Sequence, residues 1–201
     1  MAMTLRAVLE IPFTAPDPVQ WPVATREPGT WLTLDGTCDD LEVGLFAAVV
    51  ASSNNIPPGE LATAKHLIAP GGLTLTDTNT VITPGCCCGL EDWRDWARAL
   101  DDNTPPWLGH DPTPKMSIGD RVTVWQDTGP LENHAPILSG PYLTLTRTHL
   151  ADLLHGVHRD LTEFTAAFAA WAARHTMNGS ALTATIDTAF AFTAPLTRSA
   201  T

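Results

Sequence analysis

Apolar and polar positions alternate along several short stretches of this chain and recur at helical spacing along others. Leu5, Ala7, Leu9 and Ile11 fall on every second residue, the rhythm of a strand with one buried face, and Pro12 closes the run. The same alternation marks residues 31–36 (WLTLDG), 121–127 (RVTVWQD) and 141–146 (PYLTLT). Residues 73–83 (LTLTDTNTVIT) read as two short strands about a polar turn, and they lead straight into GCCCG.

The helical rhythm is clearest over residues 149–175. Leu150, Leu153, Leu154, Val157, Leu161, Phe164, Phe168 and Trp171 recur at spacings of three and four, while Asp152, His155, Arg159 and Glu163 fall elsewhere. Thr148 is placed to cap its start, and Leu161, Phe164 and Phe168 are expected deep in the core. Shorter helices are predicted from near Asp39 to residue 51, over 57–68, and over 90–100 with Leu90, Trp93, Ala97 and Leu100 on one face.

These elements predict an α+β fold: one antiparallel or mixed sheet of about five strands, packed by the long C-terminal helix and by shorter ones. A single domain is expected over 1–176, followed over 177–201 by a C-terminal extension with a short helix and a frayed end. The triplet LTL occurs at 32–34, 73–75 and 143–145, but unequal spacing and unlike flanks make it strand alternation and not a repeat.

Charge narrows the range of partners. The chain has 22 acidic and 11 basic residues, a net −11 with histidine neutral. Such a field repels phosphate backbones and anionic membranes and attracts cations, so a basic protein partner is expected, and neither nucleic acid nor a membrane. The first residues lack the apolar stretch of a signal peptide and no run reaches the length of a membrane span, which predicts a cytoplasmic protein. Walker, dinucleotide-binding, nucleophile-elbow and EF-hand signatures are all missing, so an enzyme is not the leading expectation.

Candidate chemistry concentrates around residues 85–89, GCCCG. Neighbouring Cα atoms stand about 3.8 Å apart, closer than disulfides usually allow, so a stable bridge inside the run is not expected. In an extended segment Cys86 and Cys88 would face one side and Cys87 the other. That offers two thiolates to a metal, with Cys38, His66, His110 and His134 as outside ligands, although the C-x-x-C spacing of zinc sites is missing. Glu91 and Asp92, in the first turn of the following helix, oppose thiolate formation.

His110 and Asp111, in the loop WLGHDP, are the candidate base and orienter for a catalytic cysteine, Cys86 or Cys88. Trp96, Trp107, His110 and Asp111 form the candidate binding surface, among seven tryptophans in the chain. His155 and His158 are read as surface histidines. The leading expectation is an acidic binding protein of the immunity or inhibitor kind, requiring no cofactor. The alternative is a thiol- or zinc-dependent protein centred on Cys86, Cys87 and Cys88, with Cys38 and His110 as further candidate ligands. For the run itself, a tight, buried strand-to-helix turn ranks first.

Overall fold

The computed structural model describes residues 3–14, 16, 19–132 and 135–196, with the side chains of 129–132, 135–137 and 139 left aside. His134 and the tail 197–201, both named above, lie outside the described residues. The fold is α+β. Its strands form two antiparallel sheets instead of one sheet of about five strands.

The first sheet contains β1 (Thr4–Glu10), β2 (Trp31–Thr33), β3 (Gly71–Thr76) and β4 (Val81–Ile82), in the order β2-β1-β3-β4. The second contains β5 (Lys115–Ile118), β6 (Arg121–Glu132) and β7 (Ala135–Thr146), in that order. The alternation in 121–127 and 141–146 marks only the bases of β6 and β7. Beyond them the pairing continues through register shifts at Trp125/Asp127 and Thr128/Leu131, where Gly and Pro hide it from a period-two reading.

Among the described residues there are also four α-helices: α1 (Asp40–Ser53), α2 (Asp95–Asp102), α3 (Arg147–His175) and α4 (Gly179–Phe190). Asp39 caps α1 by accepting from the N–H groups of Leu41 and Glu42, while the Glu42 side chain accepts from the Asp39 N–H, a reciprocal capping box. The start of α3 is capped by Thr146, whose hydroxyl accepts from the His149 N–H at 3.1 Å, and not by Thr148. The helix expected over 57–68 shrinks to a 3-10 helix at Pro58–Thr63, and His66 takes a left-handed φ of 57°.

Leu161, Phe164 and Phe168 are fully buried, as their spacing predicts. Phe164 meets Phe46 of α1 edge to face at 5.0 Å between centroids and Phe192 at 6.2 Å, and Phe46 in turn meets Phe168 and Phe190 of α4. Residues Leu182, Ile186 and Phe190 carry α4 into the same core. A second, smaller aromatic step continues through Trp171 to Trp21, 5.3 Å apart and perpendicular.

Helix α2 turns its buried face one residue away from the expected one. Leu90 and Trp93 are buried, but they belong to a 3-10 helix at Leu90–Asp92 and its end, and the α-helix proper buries Trp96 and Ala99. The change from three to 3.6 residues per turn shifts the phase, leaving Ala97 and Leu100 only partly covered.

Candidate metal site at the cysteine turn

The stretch GCCCG joins β4 to the 3-10 helix at Leu90, and backbone bonds clamp it from two directions. On one side the Gly85 N–H donates to Leu108 O at 2.8 Å, the Cys86 N–H to His110 O at 2.6 Å, and the His110 N–H back to Cys86 O at 3.1 Å. On the other, the Gly71 N–H donates to Cys88 O at 3.1 Å and the Leu90 N–H to Ala69 O at 2.9 Å. The turn therefore ties the end of the first sheet to the loop that enters the second.

Close approach of the two backbones requires Gly85 and Gly109. A Cβ on Gly85 would stand 2.2 Å from Pro112 O, and one on Gly109, whose φ is +96°, would stand 2.5 Å from the Gly85 carbonyl. Neither contact is tolerable. The two glycines are what let Cys86 pair with His110 at all.

Within the turn, the Cys88 N–H points to Gly85 O at 3.4 Å and Cys87 adopts a left-handed φ of 63°. A side chain rarely occupies that region, which in turns of this kind normally belongs to glycine. The left-handed residue breaks the alternation of an extended segment. As a result Cys86 and Cys87 come side by side, their sulfurs 3.4 Å apart, instead of facing opposite ways. Cys86 and Cys87 are exposed, which corrects the expectation of a buried turn; Cys88 alone turns inward, partly covered.

The two kinds of thiol differ chemically. Burial, reinforced by the Asp92 and Glu91 carboxylates, pushes the Cys88 thiol up to about 12, so the opposition expected from those acids falls on this cysteine. Its sulfur would lie 3.3 Å from a Cβ on Gly72, deep in the angle between β3 and the turn. The Cys86 thiol is also held above its usual range, first by its hydrogen bond with Cys87, then by partial desolvation, the Cys87 sulfur and the Glu10 carboxylate. A raised thiol is mostly protonated at neutral pH, which slows its attack and weighs against rapid catalytic turnover by either residue.

His110 completes the group. One ligand atom from each of Cys86, Cys87 and His110 lies within 4.8 Å of the other two, and all three side chains are exposed. The Nδ1–H of His110 donates to Asp111 Oδ2 at 3.1 Å, since a carboxylate only accepts, so a neutral imidazole held this way presents its lone pair at Nε2. Trp107 is 57% exposed, its ring centroid 6.4 Å from that of His110. Asp111 itself has a left-handed φ of 51°. Thus both backbones of the pair carry a left-handed, non-glycine residue at the site.

Two sulfurs and an imidazole nitrogen suit a thiophilic ion such as zinc. A tetrahedral ion with bonds of about 2.3 Å to sulfur sets its two sulfurs about 3.8 Å apart, so the observed pair opens to fit by small side-chain rotations. Three protein ligands leave a position facing solvent. Asp111 would then act behind His110, as carboxylates behind ligating histidines commonly do.

Other candidates lie elsewhere. Cys38 donates to Thr33 O at 3.2 Å beside the start of α1, where burial first, and nearby carboxylates after it, push its thiol up to about 11. The cluster includes neither Cys38 nor His66. Trp96 is 4% exposed and packs in the core, so only Trp107 of the two tryptophans offers a surface. His155 is exposed with Nδ1 against Ala151 O, whereas His158 stacks on Trp93 and buries an Nε2 without a hydrogen-bond partner.

Sequence reasoning singled out Cys86 and His110 but divided Cys86 from Cys87. The signal for their pairing is the glycine placed in each backbone, Gly85 before the cysteines and Gly109 before the histidine. Among the described residues no helix is long and apolar enough to cross a membrane. No family model, no curated protein and no solved structure matches the chain.

Proposed function

We infer that this protein binds a thiophilic metal ion, with zinc the expected occupant, through Cys86, Cys87 and His110. The observation that carries the reading is the convergence of these three ligand atoms within 4.8 Å on a turn clamped by backbone bonds on both sides. The net charge of −11 and the nearby Glu10 and Asp111 favour a cation there. An exposed site with one solvent-facing position suits an ion that is exchanged or handed on better than one that holds the fold together. The raised Cys86 thiol makes metal binding a proton-releasing event.

Metal analysis of the reduced protein after zinc loading and gel filtration tests this. One equivalent is expected, with affinity falling at least about tenfold in His110→Ala and stoichiometric binding lost in the Cys86→Ser, Cys87→Ser double variant. Reduced, folded protein that retains no zinc would sink the reading.

The expectation of a basic protein partner keeps the acidic charge and the exposed Trp107 as its support. Its signature is a complex with a cationic protein that forms at low salt, weakens as salt rises and weakens again in Trp107→Ala.

A further inference from the structure

Two of the three proposed metal ligands are adjacent in sequence and already touch through sulfur. Both thiols are exposed, and their sulfurs are 3.4 Å apart because Cys87 sits in the left-handed position of the turn. Cys88, the third of the run, is turned inward and partly covered. The backbone on either side is held, so the pair cannot easily drift apart.

We propose that Cys86 and Cys87 form a thiol–disulfide couple that exchanges with low-molecular-weight disulfides, and that oxidation of the pair takes two ligands from the metal site in one event. The proposal rests on the metal reading for its consequence, but not for the chemistry of the couple. One cysteine thiolate attacks a sulfur of the small disulfide, forming a mixed disulfide and releasing one small thiol. The second cysteine, at contact distance, then attacks the protein sulfur of that mixed disulfide and releases the second small thiol. The two cysteines lose two electrons and two protons in total, and the small disulfide is reduced to two thiols.

Adjacent residues have Cα atoms about 3.8 Å apart, below the span of relaxed disulfides, so the oxidised pair is strained and returns readily to dithiol. Such a bond is unsuited to stapling a fold. It suits a reversible switch. The oxidised turn keeps His110 but offers no thiolate, so zinc has one ligand in place of three.

Intact mass and thiol mapping of the full chain decide the matter. Metal-free protein is treated with oxidised glutathione, denatured, alkylated and digested, and zinc uptake is measured beside it. The expected result is loss of two hydrogen atoms without a retained adduct, alkylation of Cys38 and Cys88 only, loss of zinc uptake, and recovery of both thiols and uptake with dithiothreitol. A persistent glutathione adduct, a covalent dimer, or a pairing that uses Cys88 overturns the couple. If the reduced protein takes no zinc yet still forms the Cys86–Cys87 bond, the couple stands and the metal reading fails. If zinc binds and the pair resists oxidation, the reverse holds. A Cys88→Ala variant serves as a second check where it folds, since it leaves Cys86 and Cys87 as the turn's two thiols.

Discussion

The aromatic centre beneath α3 and the cysteine turn are built on opposite terms. Phe46, Phe164, Phe168, Phe190 and Phe192 come from α1, α3, α4 and the segment after it, and each is fully buried among the others. Their order depends on apolar area and close packing, which many hydrophobic sequences can supply. The turn depends on backbone bonds, two glycines in contact and a cysteine in a conformation that cysteine seldom adopts. Stability is concentrated in the first region, and specific chemistry in the second.

The comparison is broken most severely from the core side. Phe164→Ala deletes a ring in edge contact with Phe46 and Phe192, and is expected to cost about 3–5 kcal/mol of unfolding free energy. Urea denaturation reads the loss, and zinc stoichiometry of the fraction still folded should stay at one. Loss of zinc by protein that remains folded would show the two regions to be energetically joined.

A smaller effect is expected where the two backbones meet. Gly109→Ala places a Cβ 2.5 Å from the Gly85 carbonyl at a φ of +96°, so the pairing of Cys86 with His110 has to yield. The cost in stability is about 1–3 kcal/mol, because a loop can move where a core cannot. Zinc affinity should fall by more than about tenfold, as the imidazole leaves the two sulfurs. A variant with unchanged affinity and unchanged melting would remove these glycines from the account.

Legibility in the sequence follows the same division. The spacing of Leu161, Phe164 and Phe168 announces a buried helical face, because burial on a helix imposes a period on residue type. Nothing comparable announces a left-handed φ at Cys87, since the sequence carries cysteine where glycine would be the signal. An extended reading therefore put Cys86 with Cys88, and the structure puts it with Cys87. His110 stands among the candidate partners by residue type alone; its proximity depends on a bridge across 24 residues of chain, read from Cys86 to His110, that no local pattern encodes. The outer parts of β6 and β7 are hidden because Pro, Gly and register shifts interrupt the alternation that marks a strand, and β5 because its four residues, KMSI, are too few to show a period.

Cys87→Gly sharpens the comparison with the smallest change. Glycine takes a φ of 63° without the steric conflict of a Cβ, so relief of the turn is expected to raise unfolding free energy by about 1 kcal/mol, partly offset by the greater freedom of glycine in the unfolded chain. The same substitution removes one proposed metal ligand and one half of the proposed thiol couple. The expected outcome is a protein at least as stable as the original, measured by urea denaturation, with zinc binding and the Cys86–Cys87 couple both lost. If glycine is the more stable residue there, the turn does not need the Cys87 side chain in order to fold. Destabilisation by this variant would reverse that inference and assign Cys87 a structural role in the turn.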